Sequence, residues 1–419
     1  MKKLFKPLFI FWAGFLCLVP VANAQVLGLE LLDKKDEVKI DFKYAQGFIL
    51  VDVKFNNSLP LTFILDTGAE HVILFNKTIT DILGIQYEKR ISLVGSDLEK
   101  EVFAFIARNI TLTLEECKTV KRDIIVLEED FLHLEEITGE AIHGIVGSRF
   151  FRGLVMEINY RKKKLKLINS EKFDSTKQKN YTKIPIEITG HKPYINCSLL
   201  NDKNEKIDVN LLIDTGSALP FLLFMESHPS LVLPKTFIKG NLGKGLGGDL
   251  EGYLSKLKEL SITDEFKFTN IVTSFQPVPE NFSEEVYRNR NGLIGNPILS
   301  RFDVTIDFVR NNLYLKPNKK YNRKFEYDKS GLTIYAFGAN LDNFFVKDIL
   351  ENSPASEAGI QKGDMIKKVG FWPAHFYTLG AITRKFQKNE GKKIKMVLER
   401  NGHRYKTHII LRDMLNSKP

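Results

Sequence analysis

The triplet Asp-Thr-Gly is written twice in this chain, each time closing an apolar run: FILDTGAEHVILF around Asp66 and LLIDTGSALPFLLF around Asp214. A single such triplet constrains little, because the same residues make a serviceable turn. Two in matched surroundings constrain the fold severely. Asp66 is followed at 144–147 by Gly-Ile-Val-Gly and Asp214 at 292–295 by Gly-Leu-Ile-Gly, so the separations agree, 144 − 66 = 78 and 292 − 214 = 78. Between them VGSDLE at 94–99 is echoed by LGGDLE at 246–251. Period-two segments precede each triplet (from Val38 and from Ile184), and strand-like stretches follow each Gly-x-x-Gly (from Leu154 and from Phe302). One unit is therefore written twice, and an internal duplication explains it.

The short alternating strands and turn residues of the duplicated part predict an all-β fold with a few short helices. A helix is expected after each Gly-x-x-Gly, near 148–153 and near 297–301, where Pro297 suits a first helical turn. The repeats occupy 25–170 and 184–316. Polar, aperiodic stretches at 171–183 and 317–324 read as linkers, and a different unit fills 325–415. YRKKKLK at 160–166 reads as an edge or surface strand, not a nucleic-acid arm, because Leu165 and Leu167 alternate with its lysines. No nucleic-acid partner is expected.

Residues 1–24 read as an export signal. Lys2, Lys3 and Lys6 form a basic end, Leu8 to Val21 is apolar, and Ala22-Asn23-Ala24 predicts cleavage after Ala24. The expected compartment is periplasmic or extracellular. Removing the signal takes three lysines and no acid, so the net charge falls from +10 to 10 − 3 = +7. No later run approaches the roughly 18 consecutive apolar residues of a spanning helix, so no stable membrane span is expected after cleavage. Cys117 and Cys197 would remain, one in each repeat, and two cysteines leave bridged and reduced states both open. His71 beside Glu70 lacks metal-ligand spacing, so neither a metal nor a cofactor is expected.

ILDTGA and LIDTGS, each with its downstream apolar Gly-x-x-Gly, resemble the two half-sites of a retropepsin-like aspartic protease over residues 37–316. The resemblance implies duplicated acid-protease β-barrel lobes forming an internal pseudo-dimer, and a monomer with one active site between the lobes. It makes Asp66 and Asp214 the catalytic pair of an endopeptidase acting on a polypeptide substrate. Thr67 and Thr215 match positions whose hydroxyls bond across the interface in that family. Gly68 and Gly216 let backbone N–H groups approach the carboxylates because no Cβ intervenes. GNLGKGLGGDLEG at 240–252 lacks the Ser or Thr of a phosphate cradle and matches the position of a substrate-covering flap, with Gly247 and Gly248 at its turn. Gly95 marks a shorter counterpart in the first repeat, and one-flap and two-flap arrangements are both open. A non-catalytic peptide-binding or scaffold protein on the same fold is the competing reading, as is pairing of lobes between two molecules.

In the C-terminal unit, SGLTIYAFG at 330–338 precedes ENSPASEAGIQKGDMI at 351–366. Ser353 reads as a helix N-cap, Pro354 as the first helical residue and Gly359 as the stop. The pattern resembles a PDZ domain, in which a glycine–apolar loop receives the C-terminal carboxylate of a peptide that adds as a strand. Gly331 and Leu332 are the candidates for that loop, and a PDZ-like packing domain without a peptide ligand is the alternative.

Overall fold

The computed structural model describes residues 28–32, 35–96, 100–278 and 290–416. The export signal expected at 1–24 lies outside them. Among the described residues no helix is long and apolar enough to cross a membrane.

The duplication is reproduced strand for strand. In the first lobe an eight-stranded sheet runs in the order Lys43–Ala45, Phe48–Phe55, Leu59–Asp66, Gly144–Gly147, Ile73–Leu74, Val120–Leu127, Glu101–Leu114, Tyr87–Val94. In the second the same order is Glu187–Thr189, Lys192–Leu200, Lys206–Asp214, Gly292–Gly295, Phe221–Phe224, Lys267–Gln276, Gly248–Ser261, Ile238–Gly245. Each sheet curls on itself through a further pairing, Phe48–Phe55 with Glu101–Leu114 and Lys192–Leu200 with Gly248–Ser261. The Gly-x-x-Gly segments are short strands parallel to the aspartate strands, with Gly147 opposite Asp66 and Gly295 opposite Asp214. Their glycines are required by closeness: a Cβ on Gly144 or Gly292 would run into the carbonyl of Ile73 or Leu222 on the neighbouring strand.

A six-stranded antiparallel sheet joins the lobes, three strands from each: Glu37–Asp41, Lys164–Asn169, Leu154–Asn159, then Phe302–Asp307, Asn312–Pro317 and Thr182–Pro185. It corrects two expectations. Lys164–Asn169 is not an edge strand but lies between Glu37–Asp41 and Leu154–Asn159. Leu165 and Leu167 are buried, while on the other face Lys164 meets Asp41 at 2.6 Å and Lys166 meets Glu37 at 2.8 Å. The stretch 171–183 is not a free linker either. It makes 3₁₀ turns at Ser170–Lys172 and Ser175–Gln178, packs Phe173 on Tyr314, and enters the joining sheet at Thr182. Aperiodic polarity hid this because only two of its residues, Phe173 and Tyr181, carry the packing.

The helical turns after the Gly-x-x-Gly strands are a 3₁₀ turn at Ser148–Phe151 and a helix at Asn296–Leu299 with Pro297 in its first turn. The 317–324 joint is also held. Arg301 donates to the carbonyls of Lys320, Tyr321 and Arg323 and lies 3.7 Å from the centre of the Phe325 ring.

The C-terminal domain has its own core and a sheet ordered Leu332–Phe337, Asn343–Ile349, Met365–Val369, Lys393–Arg400, His403–Ile410. Ser353 caps the Pro354–Glu357 helix in a capping box with Ser356, and Gly359 follows with φ +70°. Its C-terminal tail returns to the second lobe, where Tyr327 and Leu415 are buried against Val272 and Lys256 meets Asp413 at 3.0 Å.

Candidate active site

The ends of the two aspartate strands meet at the lobe interface and are tied by reciprocal hydrogen bonds. Thr67 Oγ1 donates to the Ile213 carbonyl at 2.6 Å and accepts from the Thr215 N–H at 3.0 Å. Thr215 Oγ1 donates to the Leu65 carbonyl at 2.8 Å and accepts from the Thr67 N–H at 3.0 Å. Both threonines are fully buried, so these bonds form without competing water. Each hydroxyl spans the interface to the other strand, and the two loops are locked in register.

The lock brings the carboxyl groups together. The Asp66 and Asp214 side chains are hydrogen-bonded to each other. Each glycine of a triplet faces the opposite aspartate: a Cβ on Gly68 would lie 2.7 Å from the Asp214 carboxyl carbon, and one on Gly216 would collide with the Asp66 carboxyl. Asp66 Oδ1 accepts from the N–H groups of Gly68 (2.7 Å) and Ala69 (3.1 Å), whereas Asp214 Oδ1 accepts from Gly216 alone (2.8 Å). Burial raises both carboxyls above the ordinary range. The Asp66 charge pushes Asp214 further up, while the bond from Asp214 and the N–H groups hold Asp66 back. The pair therefore shares a proton to a pH above the usual carboxylate range.

Two residues invisible to motif reasoning complete the joint. Asn296, fully buried just after Gly295, donates to the carbonyls of Gly47 (2.7 Å) and Thr215 (2.5 Å) and accepts from the Tyr160 hydroxyl (2.6 Å). It thus links second-lobe backbone to two first-lobe elements. Glu70 lies 3.7 Å from both His71 and Arg149 and 3.9 Å from His191 of the other lobe. The matching positions of the Gly-x-x-Gly segments, followed by Ser148 in one repeat and Asn296 in the other, are the only sequence hint of that asymmetry.

Both hairpins are built. The first turns near Gly95, between Tyr87–Val94 and Glu101–Leu114; the second turns at Gly247 and Gly248 (φ +99° and +114°), between Ile238–Gly245 and Gly248–Ser261. Their tips touch. The Ser96 N–H donates to the Leu246 carbonyl at 2.5 Å, the Leu246 N–H donates to Ser96 Oγ at 2.9 Å, and Gln276 Nε2 donates to the Ser96 carbonyl at 2.9 Å. Leu246 packs against the first-lobe cluster containing Ile64 and Phe75, on the sheet face that carries Asp66.

The C-terminal domain reaches the same end. Its edge strand Leu332–Phe337 and its Leu379–Phe386 helix both contact the first-lobe helix Leu134–Thr138, and Lys244 of the second hairpin lies 5.7 Å from the centre of the Tyr335 ring. The N–H groups of Gly331 and Leu332 are engaged internally, donating to Asp328 Oδ1 (2.9 Å) and Ser330 Oγ (3.1 Å). The loop expected to offer them to a peptide carboxylate is bonded to its own side chains instead. Cys117 and Cys197 are free and buried.

No known protein family and no curated protein matches the chain. Among solved structures, the aspartic proteinase from Irpex lacteus aligns at 13% identity and a TM-score of 0.39, covering 68% of this chain and 99% of that one. A photosystem II D1 C-terminal processing protease aligns at 20% identity and a TM-score of 0.20, covering 22% of this chain; the chain spans 25% of that structure's length.

Proposed function

We propose that this chain is an exported, single-chain aspartic endopeptidase of the retropepsin-like type, with Asp66 and Asp214 as its catalytic pair and a PDZ-type C-terminal domain. The observation that carries the reading is the reciprocal placement of the two Asp-Thr-Gly loops. Each threonine clamps the other loop, and each glycine clears space for the other carboxyl. A turn motif used twice for structure alone gives no reason to bury two carboxyls against each other, which costs stability.

The chemistry follows from the shared proton. Asp66, better supplied with N–H donors, is the base that draws a proton from a water as that water attacks the scissile carbonyl. Asp214 donates its proton to the carbonyl oxygen. Reversal of the two roles then delivers a proton to the departing amine, with no covalent intermediate and no cofactor. The substrate is an extended polypeptide lying beneath the hairpins, so the Ser96–Leu246 contact must open to admit it. With the groove side of the C-terminal domain engaged by the first lobe, its role is to brace or gate that end of the cleft. Export rests on the basic, apolar, Ala-x-Ala start of the sequence.

The test is a peptide library incubated with the mature protein across a pH series, beside Asp66→Asn and Asp214→Asn. Cleavage by the parent and its loss in both variants is expected. Cleavage that survives in either variant, or none by the parent at any pH, overturns the proposal.

A further inference from the structure

The duplication makes each lobe a control for the other. Equivalent positions are set by backbone bonds: His143 N–H donates to the Thr62 carbonyl as Asn291 N–H does to Asn210, and Phe75 N–H donates to the His143 carbonyl as Phe224 N–H does to Asn291. Ile142 is therefore matched by Arg290. The hairpin pairs Ala45 with Phe48 and Thr189 with Lys192, while Leu50 opposite Ile64 corresponds to Tyr194 opposite Leu212. Phe48 is therefore matched by Lys192.

In the first lobe Phe48 and Ile142 are buried in one apolar cluster with Leu50, Ile64 and Phe75. The corresponding cluster of the second lobe holds Leu212, Phe224 and Tyr194, and where the first lobe closes with phenylalanine and isoleucine it carries two cations. The Arg290 guanidinium lies 5.1 Å from the centre of the Phe224 ring and donates to the Gly292 carbonyl at 3.4 Å. Lys192 continues the register two residues beyond the Tyr194–Leu212 pair, which places it across from Asp214 on the same sheet face. Neither cation has an ion-pair partner among the described residues. The aspartate pair with its shared proton contributes one negative charge against two positive ones, and Glu70 is already met by Arg149 at 3.7 Å. Among the described residues, one positive charge is left over beside the reacting carboxyls.

We propose that Lys192 and Arg290 form an anionic-side-chain subsite, so that the enzyme selects peptides with an Asp or Glu on the second-lobe side of the scissile bond and an apolar residue on the first-lobe side. The inference rests on the endopeptidase reading above. A bound carboxylate meets two preformed donors in a partly desolvated cleft and satisfies the surplus charge. A neutral isostere leaves those donors unanswered, which is how a polar pocket rejects it. In keeping with this placement, burial lowers the affinity of both cations for their protons while the aspartates oppose the shift.

The experiment compares peptide pairs that differ only in Glu or Gln at each position flanking the cleaved bond, using mature parent protein, Arg290→Gln, Lys192→Met and Arg290→Glu. The quantity read is the ratio of kcat/KM within one enzyme, which cancels any difference in folded fraction. A Glu-over-Gln ratio of roughly tenfold or more is expected at one position for the parent. It should collapse toward unity in the neutral variants and fall below unity in Arg290→Glu. A parent without an acidic preference, or one whose preference survives both neutral substitutions, overturns the inference. Reduced-amide versions of the same pairs, which cannot be cleaved, are titrated against the parent. If nothing is cleaved, the endopeptidase reading fails by itself, and equal binding of the Glu and Gln versions overturns the subsite separately.

Discussion

Replacing Thr67 with Val tests the interface lock with the least change of shape, since one methyl takes the place of the hydroxyl. The hydroxyl makes two buried bonds, to the Ile213 carbonyl and from the Thr215 N–H. Its loss leaves one acceptor and one donor without these partners where water does not reach. Each such group costs about 1–3 kcal/mol, so Thr67→Val should destabilise the protein by about 2–6 kcal/mol. Thr215→Val should cost a similar amount, because it orphans the Leu65 carbonyl and the Thr67 N–H. No bond is shared between the two hydroxyls, so the costs add unless the first substitution already lets the loops part. Thr67→Ser keeps the hydroxyl and should recover most of the loss. Urea unfolding followed by far-ultraviolet circular dichroism is the assay. Tryptophan fluorescence would mislead, since of the two tryptophans Trp372 lies in the C-terminal domain and Trp12 in the stretch expected to be removed as a signal. Peptide cleavage should fall by about 100-fold, the usual cost of misplacing reacting groups by an ångström. Stability within about 0.5 kcal/mol of the parent, with cleavage intact, would refute the account of the lock.

Three other outcomes are expected. Asp214→Asn should melt higher than the parent at pH 7 by an amount equivalent to about 1–2 kcal/mol, because a carboxyl held above its unfolded value costs stability as pH rises from about 4 toward the folded value. That gain should shrink as the pH falls toward 4, and calorimetry showing it grow in acid would contradict the assigned direction. Gly144→Ala should cost 3 kcal/mol or more (roughly the upper range for forced overpacking), since the new methyl would lie 2.6 Å from the Phe63 ring and within the Ile73 carbonyl; a soluble variant with parental melting would count against it. The mature native protein should leave Cys117 and Cys197 unreacted toward a thiol reagent at pH 8, burial having pushed the Cys117 thiol up to about 12 and Cys197 higher still, and both should react after unfolding. Rapid labelling of the folded protein would show that their burial is wrong.

Periodicity and motif spacing made much of the architecture legible. Ser353, Pro354 and Gly359 announced a capped helix through local chemistry alone, and the twin triplets placed Asp66 and Asp214 at strand ends. The alternation in YRKKKLK at 160–166 points to an edge or surface strand, because alternation reveals which face is buried, not how many neighbours a strand has. Residue type makes Gly331 and Leu332 candidates for a carboxylate loop, but whether their N–H groups are free depends on where Asp328 and Ser330 point.

The repeat, its all-β character and the pair of aspartates follow from the residue order alone, because they are written in short-range patterns that recur. That Gly68 faces Asp214, that Asn296 and Tyr160 stitch the lobes, and that Lys192 and Arg290 stand where their counterparts are Phe48 and Ile142 emerges only in the folded arrangement. The reason is sequence separation. Thr67 and Thr215 are 148 positions apart, and 136 separate Tyr160 from Asn296. Contacts at that range exist only once two independently patterned sheets have closed on each other, and no local propensity records which side chains they will bring together.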